Sequence, residues 1–340
     1  MINTIPSGSL GVAAVIASIG PPTVASEAWH RICSTVTLDD CTDPDVLAML
    51  PMIWSHTVSM QPSNPEAARL RGIHHQRWCA ARIAARDVVD GVERLRRAGI
   101  DARLGGGIAL AARAYPDLGF RPLANSVVLV PQQQFDEAVR AMRVSERGLD
   151  PGGRNRPFPD RRPIRWTTPG GFNVVIASRP TPWFADMPAA SVDLMIDDRA
   201  VPGLTPEDEL LAVLSGTVLD VRPSSLLWVV DAAQLAATGT VNTEQLIDII
   251  RREQLAPVVL PRLRYLADDF GVEFGTGLIA SVAALPHKFR DRHLARWAIG
   301  TVGSSSLPAR ARRLGMRWLV LSRRSPLWRS VTSFPGYLRS

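Results

Sequence analysis

From about Glu66 to Ala98 the chain reads as one long helix, and at Gly99 that pattern stops. Ala85, Val88, Val89, Val92 and Leu95 fall at i, i+3, i+4, i+7 and i+10, so they share one face. An apolar stripe of that length has to be buried against a second layer. Gly99 supplies the residue type that tolerates the left-handed conformation in which helices end. The periodicity then changes: Ile100 to Leu104 reads as a strand, Gly105, Gly106 and Gly107 as a turn, Ile108 to Tyr115 as a helix and Ser126 to Val130 as a strand. Phe135, Ala138, Val139 and Met142 predict a further amphipathic helix, and two more strands are expected at Ile164 to Thr167 and Phe172 to Ser178, joined by a turn at Thr168-Pro169-Gly170-Gly171. A long helix feeding short alternating strands and helices predicts an α/β (α+β) core with a mixed sheet.

The flanks read as helical. Leu10 to Ile19 is an apolar run far short of the roughly 20 residues that span a bilayer, so a buried helix is expected there. Thr42-Asp43-Pro44 is a helix start, with a capping side chain ahead of a proline that loses nothing at the first helical position. Thr205-Pro206-Glu207-Asp208 opens another, its early acids suiting the helix dipole. Helical segments at 209–218, 225–237, 243–254 and 257–270 then suggest a helical subdomain. The expected division is 1–94 helical, 95–204 α/β core, 205–287 helical subdomain and 288–340 a separate tail. Arg147 to Pro163, rich in Gly, Pro and Arg, reads as a mobile loop or insertion.

Composition matters chiefly through where the charge lies. The 340 residues carry a formal net charge of +7, which by itself would suit nucleic acid. Residues 1–287, however, hold 27 Arg and no Lys against 31 acids, a net of −4, and residues 288–340 carry +11. The body has no basic excess, which argues against nucleic acid as its partner. In the tail, Arg317, Trp318, Arg323, Arg324 and Trp328 interleave arginines with interfacial aromatics. Such a segment suits an anionic membrane surface, ahead of single-stranded nucleic acid or an acidic protein partner, and its rings could equally pack on the helical subdomain. Three cysteines, Cys33, Cys41 and Cys79, give no paired C-x-x-C spacing, so neither a disulfide framework nor a zinc site is expected. A reducing cytoplasm is the expected compartment, with membrane association through the tail.

Residues 92–130, VERLRRAGIDARLGGGIALAARAYPDLGFRPLANSVVLV, resemble the bacterial nucleotidyltransferase-like proteins of the polymerase-beta superfold. The resemblance continues through WVVDAAQL at 228–235 and PRLRYLADDFG at 261–271 and covers about residues 46–285. It implies a strand leading into Leu-Lys-Gly, a helix ending in Tyr-Pro, and an Arg-Pro step before a strand bearing Asp-x-Asp. Alternate strand residues face one way, so Asp-x-Asp would pair two carboxylates to hold Mg ions and a nucleoside triphosphate, with a third carboxylate on a neighbouring strand.

This sequence departs from the pattern at those positions. The two aspartate positions fall on Asn125 and Val127, the third carboxylate on Asn173, and the lysine on Gly105. A histidine expected in the helical half is missing from ELLAVLSG at 209–216. Hard cations need charged or strongly polar oxygens, so the expectation is a catalytically degenerate nucleotidyltransferase fold that binds or scaffolds, without a metal or other cofactor. Gly105, Gly106 and Gly107 remain as a nucleotide-binding turn, and Asp231, beside the site, as a residue that orients the helical subdomain or a loop. The alternative is an active enzyme moving a nucleotide from Mg-NTP to a small-molecule or glycan hydroxyl, with Asp117 or Asp136 recruited to the metal. Asp43-Pro44-Asp45 reads as a cap, Asp197-Asp198 as a hairpin turn, and His74, His75 and Cys79 as too few ligands for zinc.

Overall fold

The structure is a computed structural model that describes residues 10–60, 64–123, 126–143, 163–216 and 225–286. It opens with α1 (Leu10–Ile19), α2 (Pro22–Thr35) and α3 (Pro44–His56). The carboxylate of Asp43 accepts the N–H groups of Asp45 and Val46 at the start of α3, with Pro44 in the first turn. The long helix, α4 (Ala67–Arg97), ends on Gly99 at φ 78°, and all five residues of its predicted stripe are buried.

The first strand differs from expectation. Ile100 N–H bonds Leu95 O, which completes the α4 terminus, and its side chain seals that end against the core. The strand β1 (Arg103–Gly106) therefore starts later and includes two glycines read above as a turn: Gly105 pairs with Val127 and Gly106 with Ser126. Helix α5 (Gly107–Ala114) follows without a linker. Then come β2 (Ser126–Leu129), α6 (Phe135–Arg143), β3 (Ile164–Thr167), β4 (Asn173–Ala177), β5 (Val192–Ile196) and β6 (Arg199–Gly203). Asp197 and Asp198, at φ 51° and 61°, make the two-residue β5–β6 turn.

The six strands form one mixed sheet in the order β3-β4-β2-β1-β6-β5. β2 runs parallel to β4, and β1 to β6; the other neighbours are antiparallel. One face is covered by α4, α5 and α6, whose apolar residues pack on Leu104, Val128, Trp166, Val174 and Ile176. Gly91 of α4 sits over β3, where a Cβ would lie 2.6 Å from Trp166 Cη2, so the absence of a side chain sets how closely helix and sheet approach. The opposite face holds a small cluster, Leu129, Ala177 and Leu204, with Val127, Val175 and Met187 packed on it.

The chain closes with α7 (Pro206–Gly216), α8 (Leu227–Ala237), α9 (Thr243–Glu253), α10 (Ala256–Phe270) and α11 (Leu278–Ala283). These helices share one apolar core with α1–α3. Asp45 links the two ends of the sequence, its Oδ1 accepting from Ser225 Oγ at 2.6 Å and Leu226 N at 2.9 Å. Arg262 of α10 donates to Leu214 O at 2.6 Å, satisfying an end carbonyl of α7, and lies over the Trp228 ring. The loop predicted at Arg147 to Pro163 falls, apart from Pro163, outside the described residues.

Candidate functional site

The site begins where β1 passes directly into α5. Gly106 is the N-cap residue at φ 68° and ψ −143°, a conformation open in practice only to glycine. Its N–H donates to Glu209 Oε1 at 2.7 Å, and Ile108 N–H donates to Ser126 Oγ at 3.0 Å. At Gly105, where the lysine was expected, a Cβ would stand 3.0 Å from Leu204 Cδ1, so a leucine side chain fills the space above the strand.

Beside Gly105 lies Val127 of β2, which on its other side faces Val175 of β4. Side chains alternate along a strand, so Val127 and Leu129 share the face that holds Leu204, Val175 and Met187. Asn125 lies outside the described residues. Asn173, at the start of β4, is exposed and accepts from Thr167 Oγ1 at 3.1 Å; Arg165, paired with Val175, is exposed on the same sheet. Among the described residues no three His, Cys, Asp or Glu side chains converge as a metal would require.

Asp231 of α8 is a buried cross-brace. Tyr115 Oη donates to its Oδ1 at 2.6 Å, Arg121 Nε to the same oxygen at 2.7 Å, and Arg121 Nη2 to Oδ2 at 2.9 Å. The three side chains are almost inaccessible, at 7%, 4% and 3% for Tyr115, Arg121 and Asp231. Burial opposes the Arg121 charge, but the adjacent Asp231 carboxylate overrides it and holds the guanidinium protonated well above its usual range. Burial and the same carboxylate push the Tyr115 hydroxyl up, so it stays a donor. The Tyr-Pro and Arg-Pro positions of the α/β layer are thus fastened to the helical body through one carboxylate.

The acids expected at the start of α7 do stand in its first turn, and all three are buried. Glu207, Asp208 and Glu209 are 3%, 2% and 0% exposed. Glu207 Oε1 accepts from Asn242 N–H at 2.6 Å, and Asp208 Oδ2 from Thr205 Oγ1 at 2.9 Å. Burial raises Asp208 to about 6 and Glu209 to about 7. A usable sequence signal existed: three consecutive helical residues subtend roughly 200° at about 100° per residue, so all three cannot lie on a narrow solvent face.

Other marked residues lie elsewhere. Asp117 accepts Gly119 N–H at 2.7 Å and sits 3.1 Å from His74 Nε2. It lines a hollow with Trp78, Arg82, Met195 and Asp197, between α4, α5 and the β5–β6 hairpin. His75 and Cys79 are exposed. Arg317, Trp318, Arg323, Arg324 and Trp328 lie outside the described residues, and no described helix is long and apolar enough to cross a membrane.

Residues 46–271 match the profile of a family described as uncharacterised nucleotidyltransferase. The chain belongs to that family. The chain matches no curated protein and no solved structure. The matched residues include β1 and β2, the three braced residues and the buried acids, and end at Gly271, the left-handed residue that closes α10.

Two consequences of this nucleotidyltransferase architecture are measurable. Asp231→Ala leaves Arg121 buried without its counter-charge and is expected to cost about 3–5 kcal/mol in urea denaturation. The apolar double variant Arg121→Met/Asp231→Leu should recover most of that loss. A carboxyl raised in the folded state contributes stability that is complete at low pH and is lost as pH rises through its folded value. Between pH about 5 and 8 the Glu209 contribution therefore falls. Glu209→Gln, which keeps the acceptor for Gly106, should raise the urea midpoint at pH 8 and lose that advantage at pH 5; equal effects at both would refute the buried-carboxyl assignment.

Proposed function

We propose that this chain is a catalytically degenerate nucleotidyltransferase-fold protein that acts by binding or scaffolding. The observation that carries the reading is the face around Val127. There the position of a metal-binding carboxylate is an isopropyl group set between Gly105 and Val175, and the lysine position is covered by Leu204. A Mg ion requires near-octahedral oxygen coordination and parts reluctantly with its water. Val127 and Asn173 offer no anionic oxygen, and Arg165 beside Val175 adds positive charge. These residues do not fit a pair of Mg ions, so the reading includes no metal-assisted transfer.

The glycine turn and the cross-brace fit a retained fold without the chemistry. Glycine at Gly106 and the Tyr115–Asp231–Arg121 contacts shape and join layers whether or not a nucleotide is turned over. In this reading the tail at 288–340, with its excess of arginine and interleaved aromatics, attaches the body to an anionic membrane surface or an acidic protein, in the cytoplasm.

Calorimetric titration of the full chain with Mg-ATP and Mg-GTP should show no Mg-dependent saturation, and labelled NTP should not be incorporated into the protein or into lysate acceptors. Mg-dependent binding that Asn125→Ala abolishes would sink the degenerate reading. For the tail, flotation of the full chain with anionic vesicles should fall on Arg323→Glu/Arg324→Glu; equal flotation of both proteins would remove the membrane attachment.

A further inference from the structure

A hollow of about 200 Å³ opens between α4, the last turn of α5 and the β5–β6 turn. It stands at the other end of α5 from the glycine turn, and Val127 and Asn173 take no part in it. Pockets for drug-sized molecules run to about 300–1,000 Å³. This one has the size of a single side chain or a small linear molecule.

Three charged side chains from three elements line it: Arg82 of α4, Asp117 of the segment after α5, and Asp197 of the β5–β6 turn. Two of them are matched to each other. Arg82 Nη1 pairs with Asp197 Oδ1, and the guanidinium carbon lies 5.4 Å from the centre of the Trp78 ring. The segment that carries Asp117 packs directly on Trp78, since a Cβ at Gly119 would stand 2.8 Å from Trp78 Cβ. One half of the hollow thus holds a guanidinium against an indole face and a carboxylate.

The other half has the carboxylate without the guanidinium. Asp117 Oδ1 accepts Gly119 N–H at 2.7 Å, and its two oxygens lie 3.1 and 3.2 Å from His74 Nε2. His74 is fixed in place by stacking on Trp54 and Phe120, at 5.0 and 4.3 Å. Among the described residues no arginine or lysine pairs with Asp117, whose side chain is 34% exposed. An ionised carboxylate offers about four lone-pair sites, so acceptor capacity remains. The lining therefore sets two carboxylates against one guanidinium. A metal does not suit it, because no three acids, histidines or cysteines among the described residues converge. Ala111 of α5 instead gives the hollow an apolar wall on which an alkyl stem can lie.

We propose that this hollow binds a small alkylguanidinium, seated between the Trp78 ring and the Asp117 carboxylate, with Arg82 as its internal stand-in. A guanidinium matches a carboxylate with two parallel N–H donors and stacks on an aromatic face, which an ammonium does less well. The group can belong to a free small molecule or to an arginine side chain of a protein. This inference does not depend on whether the Val127 face binds metal, so the two readings can fail separately.

Calorimetric titration of the full chain with agmatine, against sodium chloride of matched ionic strength, should saturate at one site. Asp117→Asn keeps an oxygen for Gly119 N–H and should weaken agmatine about tenfold. Arg82→Ala vacates the ring and Asp197 and should tighten it by roughly threefold. Asp268→Asn, an exposed acid of α10, should leave it unchanged. A blocked Gly-Arg-Gly peptide that binds as tightly as agmatine assigns the site to a protein-borne arginine; binding of agmatine alone assigns it to a free guanidine. No saturation beyond sodium chloride, or equal affinity in wild type and Asp117→Asn, overturns the proposal. Should Asp117→Asn fail to fold, Arg82→Ala decides it: an affinity no tighter than wild type overturns the assignment.

Discussion

The contact on which the two halves of this molecule depend is the bidentate Arg121–Asp231 pair with the Tyr115 hydroxyl on the same carboxylate. Arg121 and Tyr115 come from the segment that joins α5 to β2, and Asp231 comes from the middle of α8. A buried ion pair is seldom a large net gain, since desolvation offsets most of the attraction. Its directional content is what matters here. Two guanidinium donors and one hydroxyl set the angle and distance of α8 relative to α5, which apolar packing alone defines loosely. Arg121 is also bonded to the carbonyl of Pro122, so the brace reaches the step immediately before the motif strand.

Around that brace the sheet has two unlike faces. The face under α4, α5 and α6 is an ordinary interior of valine, leucine and isoleucine, with Trp166 filling the space left by Gly91. The other face carries an apolar cluster of Leu129, Ala177 and Leu204 with Val127, Val175 and Met187 packed on it. The acids of the region lie instead at the start of α7, where burial holds two of them toward the neutral form.

Much of this was legible along the chain. The apolar stripe of α4, the N-cap at Asp43, the hairpin at Asp197-Asp198 and the change of period after Gly99 are local patterns, and local patterns survive folding because they express backbone and side-chain preferences. The resemblance carried by residues 92–130 named the family, whose profile matches residues 46–271. Two local readings moved. Ile100 was expected in a strand but closes the end of α4, because its N–H reaches Leu95 O. Gly105 and Gly106 were expected in a turn but pair with Val127 and Ser126, because the ladder to β2 outweighs glycine's weak strand preference.

The sequence by itself determined which side-chain chemistry positions 105 and 127 lack. A valine at 127 and a glycine at 105 have no carboxylate or ammonium group in any fold. It also determined where the charge of +7 resides, in the 53 residues after His287. What only the tertiary structure decided are the partnerships between distant residues. Glu209 reaches Gly106, Asp231 reaches Tyr115 and Arg121, and α1–α3 share a core with α7–α11. The physical reason is that periodicity tells which side of an element is buried but not what lies opposite. An acid in the first turn of a helix looks solvated until the neighbouring strand and helix enclose it.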